Sequence, residues 1–92
     1  MKHPLDEITG NLRFWVHNGP IVSNLKQLPD ILNKMSEENF RHHVNNEKND
    51  FSNWVRDVLG DAKLADEIKP IRNKIEMIKK IKARISLLKR TK

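Results

Sequence analysis

Residues 49–61 read Asn-Asp-Phe-Ser-Asn-Trp-Val-Arg-Asp-Val-Leu-Gly-Asp, and this stretch carries the strongest helical pattern of the chain. Its apolar side chains follow the spacing i, i+3, i+4, i+7, i+8, which places them on one face of an α-helix. These side chains are Phe51, Trp54, Val55, Val58 and Leu59. Asn49 or Asp50 is the predicted N-cap, and Gly60 fits the left-handed position that ends the helix. Asp61 is then the predicted cap of a short further helix bearing Leu64, Ala65 and Ile68.

Two more helices are predicted before this stretch. Ser36 is the expected N-cap of the second, which runs through Phe40. Ser23 is the expected N-cap of the first, and Pro29 falls beyond the first turn of a helix begun there. A proline in that position removes a hydrogen bond, so either the helix bends or its regular part starts near Pro29. The apolar residues of this first helix are Leu25, Leu28, Leu32 and Met35.

Residues 13–22, Arg-Phe-Trp-Val-His-Asn-Gly-Pro-Ile-Val, predict a short β-hairpin. Aromatic and β-branched residues favour a strand, and Asn18-Gly19 is the preferred pair for a type I′ turn, in which both positions need positive φ. Pro20 cannot donate to a ladder, so the return strand is short or lies at an edge. A two-stranded ribbon is marginal alone, and we therefore expect it to pack on the helices.

The C-terminal part of the chain predicts a long amphipathic helix over about residues 71–89. Its apolar residues continue a stripe that begins at Ile68, with successive spacings of 3, 4, 3, 3, 4 and 3 residues. The stripe consists of Ile68, Ile71, Ile75, Ile78, Ile81, Ile85 and Leu88. Pro70 either interrupts the chain before this helix or forms part of its first turn.

The predicted fold class is mainly α. A short N-terminal β-hairpin packs on a small bundle of four to five helices, and a long basic amphipathic helix ends the chain. We divide the chain into an N-terminal extension (1–12), a hairpin-plus-helices domain (13–70) and the basic C-terminal helix (71–92). A domain of this size has little core to offer, so we expect the proximal part of that helix to complete the core and its distal part, from Ile81 onward, to reach past it.

The middle of the chain resembles a small archaeal domain family of unknown function. The resemblance rests on the Asn-Asp-Phe-x-x-Trp run that begins at Asn49, with its Asp-Val-Leu-Gly-Asp continuation, and covers roughly residues 13–68. It implies an opening hairpin, short helices and a preceding phenylalanine–histidine segment, here Phe40 and His43. It assigns no activity, and the basic C-terminal helix lies outside the region of resemblance.

Charge is distributed very unevenly along the chain. The 92 residues carry a net charge of +6. Residues 69–92 hold ten basic residues against one acid, Glu76, a net +9, whereas residues 1–68 hold eight basic and eleven acidic residues, a net −3. Such a surplus attracts polyanions. With no cysteine, no apolar leader and no run long enough to span a membrane, we expect a cytoplasmic protein.

Candidate catalytic and metal-binding groups each have a simpler structural explanation. His42 and His43 are adjacent, about 100° apart on a helix, so they cannot both face one small metal site. Asp50 and Asp61 stand at helix starts, where carboxylates cap. Trp54 belongs to a core face, whereas Trp15 is the aromatic that the hairpin is expected to expose. We therefore expect no catalytic residue, no metal and no cofactor.

Two functions compete for the C-terminal helix. The first is that of a non-enzymatic nucleic-acid-associated protein, with backbone contacts of little sequence specificity. The expected contact residues are Lys69, Arg72, Lys79, Lys80, Arg84 and Arg90.

The alternative is a protein-interaction or assembly module, in which the apolar stripe of this helix pairs with a partner protein or a second copy of the chain. The expected stripe is Ile75, Ile78, Ile81, Ile85 and Leu88. Lys82 and Lys89 would occupy seam positions of a coiled coil, which argues against a long one. A membrane-surface helix, a third reading, lacks the aromatic residues usual on its apolar face.

Overall fold

A computed structural model describes residues 3–91 and confirms the predicted fold class. The hairpin strands are β1 (Phe14–Trp15) and β2 (Ile21–Val22), and 3₁₀ turns cover Gly10–Leu12 and Leu25–Gln27. The helices are α1 (Leu28–Lys34), α2 (Glu37–His43), α3 (Asp50–Trp54), α4 (Ala62–Ile68) and α5 (Lys74–Thr91). A π-helical turn over Val55–Leu59 continues α3. No helix within the described residues is long and apolar enough to cross a membrane.

The caps around α2, α3 and α4 lie where the sequence predicts them. Ser36 Oγ accepts from the backbone N–H of Asn39 at 3.1 Å, and Asn49 Oδ1 accepts from Ser52 N–H at 3.0 Å. Asp61 Oδ1 caps α4 in the same way, and Gly60 has a φ of +75°. The helical face of residues 51–59 is also confirmed, although its second half is wound as a π-helical turn.

The first helix begins later than a Ser23 cap predicts. Asn24 caps the 3₁₀ turn through its side chain, and Pro29 lies in the first turn of α1. Of the two arrangements that Pro29 allowed, the regular helix therefore starts beside it. Proline is tolerated in a first turn because the N–H it lacks would have no intrahelical partner.

The hairpin forms with Trp15 paired to Ile21, but its turn is not the predicted type I′. Asn18 has a φ of +52°, whereas Gly19 does not have a positive φ. Gly19 N–H donates to the Val16 carbonyl at 3.0 Å, and a Cβ at Gly19 would lie 2.9 Å from Val16 Cγ1. This turn therefore requires glycine because the chain approaches itself closely, not because of its φ.

An aromatic cluster fastens the hairpin to the helices. The Phe14 ring stacks on Phe51 with centroids 4.8 Å apart and meets Trp54 edge-on at 5.7 Å. Trp54 Nε1–H donates to the Leu12 carbonyl at 2.8 Å, so its polar edge is satisfied inside the fold. As predicted, Trp54 is core and Trp15 is exposed, with 56% of its surface accessible.

The N-terminal segment is part of the core and not an extension. Leu5 and Ile8 are buried, and Ile8 N–H donates to the Ser23 carbonyl at 2.7 Å. Glu7 accepts from the side-chain amide of Asn24 at 2.7 Å. The extension predicted over 1–12 is therefore wrong for residues 3–12, and residues 1 and 2 lie outside the described part.

Helix α5 buries side chains against the domain from Met77 to Leu88. It begins at Lys74, after a turn at residues 68–71 and an Asn73 side chain that accepts from Glu76 N–H. It contacts α1 and α4, and the side chains it buries are Met77, Ile81, Ile85 and Leu88. The expectation that residues from Ile81 onward reach past the core is wrong, because Ile81, Ile85 and Leu88 are all buried. Residue 92 lies outside the described part.

Candidate nucleic-acid interface

The buried line of α5 separates its exposed residues into two flanks. Successive residues of a helix differ by about 100°, so Lys82 and Lys89 lie within about 20° of each other on one side, next to α1. Lys80 and Arg84 lie on the opposite side, next to the start of α4. We call these the groove flank and the Arg84 flank. They differ in charge.

On the Arg84 flank, the arginine is committed to an internal ion pair. Arg84 Nε donates to Asp61 Oδ2 at 2.8 Å and Nη2 donates to Oδ1 at 3.1 Å. The hydrogen bond to Asp61 raises the pKa of Arg84, and the charges of Asp61 and Glu67 act in the same direction. Asp61 is only 4% exposed. Arg84, expected as a phosphate contact, instead ties α5 to the N-terminus of α4.

The remaining basic residues of α5 are exposed, apart from the partly buried Lys74, which donates to the Met35 carbonyl. None of the exposed ones forms an ion pair with a described acidic residue. They are Lys79, Lys80, Lys82, Lys89 and Arg90. Lys69 and Arg72, also expected as contacts, are exposed in and near the connection between α4 and α5, where Arg72 Nη1–H donates to the Lys69 carbonyl.

A groove with a cavity volume of about 590 Å³ runs between α1 and α5 on the groove flank. Three lysines line it, and Asp30 is its one carboxylate, held at 3.2 Å by Lys34. Its floor is apolar and includes Pro29, Ile78 and Ile85. The full lining is Lys26, Pro29, Asp30, Asn33, Ile78, Lys82, Ile85, Ser86 and Lys89. We call this surface the α1–α5 groove.

Sequence reasoning missed the lysines of this groove. In the heptad pattern, Lys82 and Lys89 occupy seam positions and so argue against a long coiled coil. Their phase beside Ile78 and Ile85 also places them at the edge of the apolar face. Lys26 lies outside the basic segment, and only the packing of α1 on α5 brings it to the same groove.

The apolar stripe predicted for protein contacts is largely the core of this chain. Ile81, Ile85 and Leu88 are buried, and Ile78 packs against the core while half-buried. Ile75 is the exception, with 63% of its surface accessible. The helix therefore offers a partner one isolated isoleucine in place of a continuous seam.

A second cleft, of about 560 Å³, lies between the hairpin turn and the α1–α2 connection. Asp30 and Lys34 both line it, and they neutralise each other. Val16, Pro20 and Ile31 supply apolar surface. Its charges are balanced, so it lacks the cationic character of the α1–α5 groove.

His17, His42 and His43 form a structural cluster between the hairpin turn and α2. His43 is buried: its Nδ1 lies 2.9 Å from Asp50 Oδ2, and its Nε2 accepts from the backbone N–H of His17 at 3.0 Å. The rings of His17 and His42 stack with centroids 3.9 Å apart. Both nitrogens of His43 are occupied, so this Asp–His pair has no nitrogen left to take a proton from a substrate.

Three further observations bear on the predicted chemistry of the histidine and aspartate residues. No group of three or more candidate ligands within the described residues could hold a metal ion. The pKa of His42 is lowered, first by desolvation and then by its interactions with His17, His43 and Lys48, whereas Asp50 acts in the opposite direction. Asp50 does not cap α3, as Asn49 does; it binds His43 and Lys48 instead.

Comparison with known proteins identifies a family. A family model described as "Family of unknown function (DUF5752)" matches residues 11–89. The match is broader than the resemblance seen in the sequence, and it takes in most of the basic helix. No curated protein and no solved structure matches the chain.

Proposed function

The chain belongs to this family of unknown function, and we propose from its surface chemistry that it is a small non-enzymatic protein that binds nucleic acid in the cytoplasm. The contacts are to the phosphate backbone, through the exposed basic residues of α5, with little sequence specificity. Arg84 is withdrawn from the contact set because Asp61 holds it. Lys82 and Lys89 join the set in its place.

One observation carries the proposal: α5 keeps a row of basic side chains in solvent without acidic partners among the described residues. A helix that is merely solvated usually alternates charges, because opposite pairs at i, i+4 stabilise it and like pairs destabilise it. Here Glu76 is the single acid on the helix. A polyanion would remove the repulsion and release its own counterions on binding.

The residue types favour backbone contacts over base reading. Four of the five exposed basic residues on α5 are lysines. A lysine ammonium is a flexible point charge suited to a phosphate, whereas specific reading of guanine relies on the bidentate fork of arginine. Contacts of this kind position a nucleic acid and carry no sequence information.

The test is a salt-dependent anisotropy titration of the full chain with fluorescein-labelled DNA. We expect binding at low salt and a linear fall of log K with log salt concentration. The variant Lys79→Gln/Lys89→Gln should reduce the slope on duplex DNA by about 1.8 if each lysine contacts one phosphate. Arg41→Gln/Lys63→Gln removes the same charge elsewhere and is the matched control. No binding at low salt, or equal effects of the two variants, would contradict the proposal.

A second candidate function is that of a protein-interaction module. Its contact surface would be the exposed face of the hairpin, because the apolar stripe of α5 is largely buried. Trp15 and Ile21 are paired across the strands and both exposed, at 56% and 37%. The Arg13 guanidinium lies 5.8 Å from the Trp15 ring centroid. Tryptophan and arginine are enriched at interface centres. Light scattering over a range of concentrations, repeated for Trp15→Ser, tests whether this face pairs two copies of the chain.

A further inference from the structure

We propose that the α1–α5 groove receives unpaired nucleotides, so that the protein prefers single-stranded nucleic acid to duplex. The inference rests on the proposed function and specifies the form of its ligand. It follows from two properties of the groove that the rest of the α5 surface does not combine. One is its charge, and the other is its apolar floor.

The charge of α5 favours the groove flank as the path of a strand. Lys82 and Lys89 lie two turns apart, about 10.5 Å along the helix, so their ammonium groups can engage separate phosphates. Lys26 faces them from the α1 side of the same groove. On the Arg84 flank, Asp61 neutralises the arginine and Glu67 adds a second negative charge nearby. A phosphate chain is therefore attracted to one side of the helix.

The floor of the groove distinguishes an unpaired strand from a duplex. Pro29 and Ile85 are buried at its base and Ile78 is half-buried. A duplex presents phosphates and sugars to a flat contact and keeps its base faces stacked inside. An unpaired strand exposes those faces and can remove part of them from water on an aliphatic surface while its phosphates meet lysines. Only the unpaired strand uses both features of the groove.

The size of the groove agrees with this ligand. Its volume of about 590 Å³ lies within the roughly 300–1,000 Å³ of sites that enclose small organic molecules. Asp30, its one carboxylate, is held by Lys34 and is therefore partly screened from an incoming phosphate. A base with its sugar and phosphate matches this mixture of apolar floor and cationic rim.

The first experiment compares two probes on the full chain. They are a fluorescein-labelled single strand of mixed sequence without self-complementarity, longer than the roughly 4–16 nucleotides of a single-strand site so that its duplex stays paired at low salt, and the duplex it forms with its complementary strand. We expect the single strand to bind about tenfold more tightly, the effect of burying roughly 60 Å² of apolar surface. Equal or tighter binding of the duplex would overturn this inference and leave the proposed function intact. No binding of either probe at low salt would overturn both.

The second experiment uses matched variants on opposite flanks of α5. Lys80 and Lys82 lie about 160° apart, so Lys82→Gln should weaken binding of the single strand severalfold more than Lys80→Gln. Ile78→Gln should weaken the single strand and leave duplex binding unchanged, whereas Leu87→Gln, on the far side of the helix, should change neither. Thermal unfolding followed by circular dichroism identifies a variant that has lost its fold. If Ile78→Gln unfolds the chain, the comparison of Lys82→Gln with Lys80→Gln tests the inference by itself. Equal effects of these two variants on single-strand binding would overturn it.

Discussion

The guanidinium of Arg84 and the carboxylate of Asp61 form a two-point contact, with N–O distances of 2.8 and 3.1 Å. The same carboxylate caps α4 by accepting from Leu64 N–H at 3.1 Å. One buried side chain therefore fixes both the start of α4 and the position of α5 against it. This joint holds the basic helix on the domain and leaves its opposite flank facing α1.

Removing one partner of this pair should be strongly destabilising. Arg84→Met leaves Asp61 buried and unpaired, and we expect a loss of about 3 kcal/mol in the free energy of unfolding. Asp61→Asn keeps a good N-cap residue and so isolates the ion pair from the capping effect. The double variant should recover part of the loss, which urea denaturation of all four proteins would measure.

The control for this cycle is the surface pair Arg56–Asp66, which has a similar distance of 2.9 Å but a far more exposed carboxylate. Exposed pairs contribute roughly 0–1 kcal/mol. Arg56→Met should therefore change stability by less than about 1 kcal/mol. If Arg84→Met proved equally mild, the pair would not have the anchoring role that its burial indicates.

Helix α5 should be indispensable for folding. Ile81 is completely buried, so Ile81→Ala should cost about 2–5 kcal/mol in the free energy of unfolding. Leu87→Ala changes an exposed residue of the same helix and should be nearly neutral. Equal effects of the two substitutions would mean that the helix is only loosely attached in solution.

The sequence predicted the parts of the fold that depend on neighbouring residues. The caps at Ser36, Asn49 and Asp61 and the left-handed Gly60 are each decided within one turn of chain, so the local pattern identifies them. The sequence pattern predicts that α5 starts near residue 71, three residues before its actual start at Lys74. The apolar stripe continues through the turn at residues 68–71, and periodicity alone could not reveal that turn.

The candidate site depended on information that the sequence does not display. In the sequence, Arg84 does not differ from the other basic residues of α5. Only the fold brings it to Asp61, which lies 23 residues earlier in the chain. The packing of α1 against α5 likewise brings Lys26 to the same groove as Lys82, although the two residues are far apart in the sequence. Charge asymmetry therefore predicted the helix that matters, whereas tertiary packing decides which of its residues remain accessible.

Stability should fall on mild acidification because of His42. Its folded-state pKa lies below the ordinary 6.5, chiefly through desolvation and next through repulsion from His17, with Asp50 opposing. At a pH below 6.5, the unfolded chain therefore binds more protons than the folded chain. The stability is complete above pH 6.5 and declines as the pH falls toward the folded pKa. Urea denaturation at a series of pH values should show this decline, and His42→Gln should reduce it.

The lowered pKa can be checked directly by NMR titration of the histidine ring protons. His17→Asn removes the stacked ring and should move the pKa of His42 back toward its ordinary value. The Asn variant retains a polar side chain in the exposed turn. A His42 titration that the His17 substitution leaves unchanged would show that the stack does not act on it.

The tautomer of His43 should be fixed by its two partners. Its Nε2 accepts from the backbone N–H of His17, so in the neutral ring the hydrogen must reside on Nδ1, where it faces Asp50 Oδ2 at 2.9 Å. Long-range ¹H–¹⁵N correlation spectra distinguish the two ring nitrogens. We expect the pattern of an Nδ1–H imidazole for His43. An Nε2–H pattern at His43 would mean that the hairpin turn is not held by this bond, because two hydrogens would then face each other between His43 and the His17 amide.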